Sequence, residues 1–251
     1  MPAYFIGTSG WHYEHWRNNF YPSDLARAKW LEFYASHFNA VELNNSFYRL
    51  PSEKAFATWY RSSPPGFVFA VKVSRFITHI KRLRDTNEPL QNFLTRANFL
   101  QEKLGPLLYQ LPPGMKRNEH VLESFLQTLP PGYQHVFEFR NESWLSSEII
   151  ALLRRHNVAL CVFDMPGFTC PAVVTADFAY FRFHGSKGLY WSCYSDDELH
   201  DWATKIAEAV RDLKIVYIFF NNDAEAYAVC NALTLARFLG LEDGLASRPL
   251  V

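Results

Sequence analysis

The feature that most constrains this chain is a unit repeated eight times: a short apolar run, a polar loop, then a segment with helical spacing. The runs are YFIGT (4–8), AVEL (40–43), FVFAVKV (67–73), PLLYQL (106–111), HVFEFR (135–140), VALCVF (158–163), AYFRFH (179–184) and IVYIFF (215–220). Each is rich in Val, Phe, Tyr, Ile or Leu and bounded by polar residues, Gly or Pro, which is the pattern of a strand. Residues 24–37 begin at an Asp and read as a helix, and residues 89–104 place Leu90, Phe93, Leu94, Ala97 and Leu100 on one helical face. Residues 146–155 run from Ser and Glu to two Arg, 195–211 open with SDDEL, and 223–238 carry an apolar stripe. These are the polarity and capping signals of helices. Residues 164–178 hold two prolines and a glycine and predict no full helix.

Strands that alternate with helices form parallel sheets. Eight such units in 251 residues predict an α/β fold. The expected architecture is a single (β/α)8 TIM-type barrel of parallel strands over residues 1–251, with an irregular unit between strands six and seven. Neither G-x-G-x-x-G nor G-x-x-x-x-G-K-[ST] occurs, and the glycines of GTSGW fit neither spacing, so nothing favours an open nucleotide-binding sheet.

Composition narrows the function. With 49% apolar residues the chain has a large core to bury and is not of a disordered class. It holds no uninterrupted apolar run of about 18 residues, so no membrane span is expected. MPAYFIGTSG lacks the layout of a secretory leader, and the expected compartment is the cytoplasm. Cys161, Cys170, Cys193 and Cys230 form neither C-x-x-C nor a zinc spacing. Cys161 reads as a buried thiol, and a nucleophilic role for Cys170 or Cys193 is a minor alternative. Lys plus Arg equals Asp plus Glu at 25 each, which argues against a protein built to coat nucleic acid. One stretch departs from that balance: KVSRFITHIKRLR (72–84) has five Lys or Arg, His79 and no acid.

The strands share a second feature. Their early residues are apolar and a polar side chain appears near the end: Thr8 or Ser9, Glu42 with Asn44, Lys72, Gln110, Glu138 with Arg140, Asp164, Arg182 with His184, and Asn221 or Asn222. Side chains alternate faces along a strand. Ala40, Glu42 and Asn44 therefore share one face, as do Val68, Ala70 and Lys72, then Val136, Glu138 and Arg140, then Tyr180, Arg182 and His184. Placed inside a barrel, these residues converge at the carboxyl ends of the strands, where active sites of this fold lie. Glu42, Glu138 and Asp164 are close to balancing Lys72, Arg140 and Arg182, so the ring also reads as a neutral structural plug. Trp11, His12, Tyr13, His15, Trp16, Phe47, Tyr48, Trp144, Tyr190 and Trp191 crowd the loops that follow, whereas Trp30, Trp59 and Trp202 fall in helical stretches and read as core.

GTSGW (7–11), VELNNSFY (41–48), FAVKVSRFITH (69–79), YQLPP (109–113), VFEFRNESW (136–144), YFRFHG (180–185) and FFNN (219–222) occur in that order. Together they resemble the YecE-like domain-of-unknown-function family 72, through about residue 240. The resemblance implies a TIM-type barrel and a site at the strand ends. It names no reaction.

Two functions from different classes fit the residues. The first is an enzyme of the hydrolase or lyase/isomerase type acting on a small anionic substrate, phosphate-bearing or a sugar phosphate. Glu138 or Glu42 is the expected general base and Lys72 or His184 the general acid. Trp11, Asn44, Tyr48, Gln110, Arg140, Trp144, Asp164, Arg182 and Asn222 are the expected substrate contacts, since guanidinium suits phosphate and aromatic rings stack on sugars. A Schiff base on Lys72 is a minor variant. No cofactor is expected. A divalent metal on Glu42, Glu138, Asp164 and His184 is a minor alternative, because three cations compete for the same carboxylates. The second function is a nucleic-acid or phosphodiester binding module using the 72–84 loop and the loop aromatics. Serine–histidine–aspartate chemistry has no G-x-S-x-G elbow to support it. The sequence sets no oligomeric state.

Overall fold

The computed structural model describes residues 2–241 and Leu245; the expected domain's remaining positions lie outside the described residues. All eight expected strands form. They are β1 (Ala3–Thr8), β2 (Ala40–Leu43), β3 (Val68–Lys72), β4 (Leu104–Gln110), β5 (His135–Glu138), β6 (Ala159–Met165), β8 (Phe178–Phe183) and β9 (Ile215–Phe220), with a two-residue strand β7 (Phe168–Thr169) folded back on β6. The order is β1-β9-β8-β6-β5-β4-β3-β2, parallel throughout except for the antiparallel β6–β7 hairpin. This is a (β/α)8 TIM-type barrel, nearly closed. The unit between β6 and β8 has no helix: Gly167, at φ 74°, turns the chain into β7 where other units start a helix.

The helices are α1 (Trp30–Ala35), α2 (Asn45–Tyr48), α3 (Glu53–Arg61), α4 (Asn87–Ala97), α5 (Glu119–Thr128), α6 (Ser147–Arg155), α7 (Asp196–Ala209) and α8 (Tyr227–Phe238). Local chemistry starts them: Ser146 Oγ accepts from Ile149 N–H, and Ser195 and Glu198 form a reciprocal capping box. Three expected helices are shorter than the sequence predicts. The 24–37 segment is helical only from Arg27, because Ala26 is extended. Gln101 (φ 52°) breaks 89–104, and Glu225 and Ala226, both left-handed, break 223–238. Helices α3 and α5 are capped by Ser52 and Asn118, whose oxygens accept from Ala55 and Val121.

The barrel closes without a ladder between β1 and β2. Side chains take the place of the missing backbone bonds. Asn39 Oδ1 accepts from Ile6 N–H (2.9 Å), and its Nδ2 donates to the Tyr4 carbonyl (2.8 Å). Thr8 N–H donates to the Tyr34 hydroxyl (2.8 Å), which donates to the Ala40 carbonyl (3.1 Å). The strands approach so closely at Gly7 that a Cβ there would lie 1.9 Å from the Ala40 carbonyl oxygen. We expect Gly7→Ala to cost about 2 kcal/mol or more in urea unfolding, because backbone on both sides of the seam must move apart. A loss below about 0.5 kcal/mol would show the seam to be pliable.

Strand alternation sorts the side chains as the pattern requires. Phe67, Phe69, Tyr109 and Phe137 face outward into the layer shared with the helices, with Tyr109 5.4 Å from Phe125 of α5. The opposite faces fill the barrel, and their last residues build the site.

Candidate active site at the barrel mouth

The inward polar residues divide into a buried floor and a partly open rim. The floor is an Arg182-centred network across the barrel. Arg182 Nη2 donates to Glu42 Oε1 (2.7 Å) and Nη1 to Glu138 Oε2 (2.5 Å). Glu42 also accepts from Ser9 Oγ (2.8 Å) and the Tyr180 hydroxyl (2.6 Å), and Glu138 Oε1 accepts from Arg140 Nε. Glu42, Glu138 and Arg182 are fully buried, so each charge depends on its partners in place of water. Burial works to raise the Glu138 pKa, but the Arg140 and Arg182 charges outweigh it and hold the carboxyl well below its ordinary range. Every carboxylate oxygen of the two acids already has a donor. The sequence-level expectation of a general base at Glu138 or Glu42 thus meets two carboxylates that hold guanidinium groups in place.

The rim is built on that floor. Arg140 Nη2 donates to His184 Nε2 (2.8 Å), and its guanidinium lies over Phe163. Because arginine only donates, the neutral His184 ring carries its proton on Nδ1, and the Asn221 side-chain amide, 3.1 Å away, accepts that proton once it is turned to present its oxygen. Burial, then Arg182 and Arg140, keep His184 well below its ordinary pKa. Lys72 ends β3 and donates to Gln110 Oε1 (2.6 Å) while its Nζ stands 4.2 Å from the Phe47 ring centre. Among the described residues no carboxylate lies within ion-pair distance of Lys72. Burial and Arg182 push its pKa down to about 8, against the opposing pull of Glu138 and Glu42.

Two expected ring members fall on the wrong side. Cys161 and Phe163 of β6 face inward, toward Glu138 and Arg140, so Asp164 faces outward, where its Oδ2 accepts from Tyr194 (2.8 Å). Likewise Asn221 reaches His184, and Asn222 turns out to Ser192 and Asn231. Trp144 is also placed away from the mouth: it is fully buried, stacked on Phe139 at 5.0 Å, with Nε1 donating to the Met115 carbonyl. Trp11, expected in a loop wall, does line a cleft of about 400 Å3 with Ser9, Tyr13, Asn44, Asn45 and Trp59. Trp59, expected in the core, meets it edge-to-face at 5.6 Å. Asn44 Oδ1 is buried there and has no hydrogen-bond partner among the described residues. Tyr48 is 75% exposed beside Phe47. Among the described residues no group of three or more His, Cys, Asp or Glu is placed to hold a metal ion.

Sequence reasoning missed His79 as a site residue. A π-turn over Phe76–Ile80 brings its ring to 4.9 Å from Phe47, the ring that also carries Lys72. The available signal was the FITH motif in the basic stretch.

The sequence over residues 5–250 matches the profile of a family described as "Protein of unknown function DUF72". The chain belongs to the DUF72 family. It is 27% identical to the UPF0759 protein YunF of Bacillus subtilis (strain 168), with 98% of each chain covered. A segment covering 46% of this chain and 43% of the UPF0759 protein YecE of Escherichia coli (strain K12) is 32% identical. The crystal structure of a DUF72 family protein from Thermotoga maritima superposes with a TM-score of 0.86 at 32% identity, over 94% of this chain and 99% of that one. One from Enterococcus faecalis V583 gives 0.83 at 22% identity over 99% and 100%, a likeness of fold alone. Among the described residues no helix of this DUF72 protein is long and apolar enough to cross a membrane.

Proposed function

We propose that this protein is a cytoplasmic enzyme performing acid–base chemistry on a small anionic substrate, phosphate-bearing or a sugar phosphate, at the carboxyl ends of the barrel strands. One observation carries the reading: Lys72 is a largely buried cation whose partners among the described residues are a neutral amide and an aromatic face. Burying an ammonium group without a counter-charge is costly, and a bound anion supplies one. Arg140 stands on the same rim and adds positive charge there, with its guanidinium held by Glu138, His184 and the Met165 sulfur. Glu42, Glu138 and Arg182 act as positioning residues, since Glu138 holds Arg140 and Arg182 ties the two buried carboxylates together. The four unpaired cysteines fit a reducing compartment.

The test is thermal unfolding with inorganic phosphate and a panel of sugar phosphates. A ligand at about 100 times its Kd stabilises the fold by about 2.7 kcal/mol, a shift of several degrees. Unchanged melting with every phosphate compound at 10 mM (roughly the ceiling for a specific weak site) would refute the proposal.

A second reading, a phosphodiester-binding module, is favoured by one feature of the surface. Exposed Tyr48, Phe76, Ile80, Leu189, Tyr190 and Trp191 lie on the segments that follow the carboxyl ends of β2, β3 and β8, with exposed Arg75, Arg82 and Arg84 among them. Stacking rings and cations together bind single strands. Retention on single-stranded DNA or RNA that weakens with salt supports this reading, and no retention at low salt removes it.

A further inference from the structure

The loop after β3 is strained for a purpose the buried network does not explain. Its π-turn is closed by Lys81 N–H donating to the Phe76 carbonyl (2.8 Å), and π-turns concentrate at functional sites. The chain then passes through left-handed backbone at three non-glycine residues, Arg82 (φ 48°), Leu83 (69°) and Asp85 (50°). Such strain persists only where surrounding structure holds it. Here buried Ile77 and Leu83 anchor the loop, and Leu83 N–H donates to the Ile77 carbonyl (3.0 Å).

What this geometry delivers is His79. Its Nδ1 lies 2.9 Å from Thr78 Oγ1, which lies 3.4 Å from the Ser74 carbonyl. The hydroxyl has one proton. Both contacts are hydrogen bonds only if imidazole donates through Nδ1 and the hydroxyl donates to Ser74. The Nε2 atom then keeps its lone pair, and among the described residues it has no hydrogen-bond partner.

Resting on the reading of an acid–base enzyme for anionic substrates, we propose that His79, whose ring meets the same Phe47 ring as the Lys72 ammonium, is the proton-accepting residue of this site through an unprotonated Nε2. An O–H or C–H of the bound substrate gives its proton to Nε2. The ring becomes an imidazolium still donating from Nδ1 to Thr78, and the bonding pair stays on the substrate. Burial, Lys72 on β3, and Arg75 and Arg82 on its own loop hold the free imidazole down to about 4, so it stays neutral in the empty site. A substrate anion on Lys72 offsets that repulsion, so basicity rises when the site is filled.

Long-range 1H–15N spectra of histidine-labelled full-length protein test this, with H79Q assigning the resonances. At neutral pH His79 is expected to show a protonated Nδ1 and a bare Nε2, and T78V, close in shape, is expected to lose that preference. Saturating inorganic phosphate is expected to raise the His79 midpoint by about one to three pH units, the usual effect of a nearby opposite charge. An Nε2–H tautomer in the unsubstituted protein overturns the inference. So does phosphate that stabilises the fold yet leaves the His79 midpoint in place; that result spares the functional reading. Phosphate that does not bind at all removes both.

Discussion

Replacing Lys72 with Met is expected to abolish the response to phosphate while leaving the empty protein as stable as before, or more so. Lys72 and Met are similar in length, and Met fills the space over Phe47 without an uncompensated charge. The Gln110 contact is lost, but its amide stands at the half-open rim, where water reaches it. Removing an unpaired cation from a largely buried position gains about 1 kcal/mol. The pH dependence follows from the direction of the shift. In the folded protein Lys72 loses its proton near pH 8, and in the unfolded chain near the ordinary value of 10.5. The unfolded state therefore binds more protons between these values, so the unsubstituted protein gains stability as pH rises from about 8 to 10.5. K72M lacks that gain. Urea unfolding at pH 7 and pH 10, with and without phosphate, reads all three effects. A K72M protein that is clearly less stable and still responds to phosphate would make Lys72 a structural residue.

The largest stability loss is expected at Arg182→Met. Arg182 bridges Glu42 and Glu138 with no exposed surface on any of the three. Its removal leaves two buried carboxylates with one shared cation fewer, and breaking a buried pair in this way costs about 3–5 kcal/mol. Combining it with E42Q and E138Q removes the stranded charges and is expected to recover part of the loss. Glu138 adds a pH signature. Its carboxyl is depressed, so its stabilising contribution is present above the ordinary 4.5 and disappears as pH falls through the lower folded value. Urea unfolding down to pH 3 should show this in the unsubstituted protein and much less in the triple variant. A loss below about 1 kcal/mol for R182M would mean that the network does not hold the barrel together.

The fold was legible because eight apolar runs with helical segments between them admit few arrangements, and the resemblance pointed the same way. The inward ring was legible in part, through strand parity. Glu42, Lys72, Gln110, Glu138, Arg140, Arg182 and His184 were all read onto the inner face. Asp164 and Asn222 were misplaced by one residue, and the information to place them was in the chain. Cys161 and Phe163 share a face that excludes Asp164, and Phe219 shares one with Asn221. What parity does not contain is the pairing across the barrel. That Arg182 meets both Glu42 and Glu138 depends on the closed register, and that Trp144 turns away from the mouth depends on a 3-10 turn whose indole finds Met115. His79 was illegible for a related reason. A π-turn has more residues per turn than an α-helix, and neither strand parity nor ordinary helical spacing tells where it points its histidine.

The side-chain seam has a consequence for how the molecule is made. Strand β1 leaves the ribosome before the other seven barrel strands, yet its whole ladder is with β9, from Ala3–Ile215 to Thr8–Phe220. On the side of β2, its side-chain bonds come from Asn39, just before that strand, and from Tyr34 of α1. The run from β2 to β8 is able to assemble in order during synthesis, whereas β1 waits as an unpaired edge until the final strand emerges. The barrel should therefore close late, with β1 docking on β9 last. In that interval the exposed strand (YFIGT) is the segment most open to capture by a chaperone or by another chain.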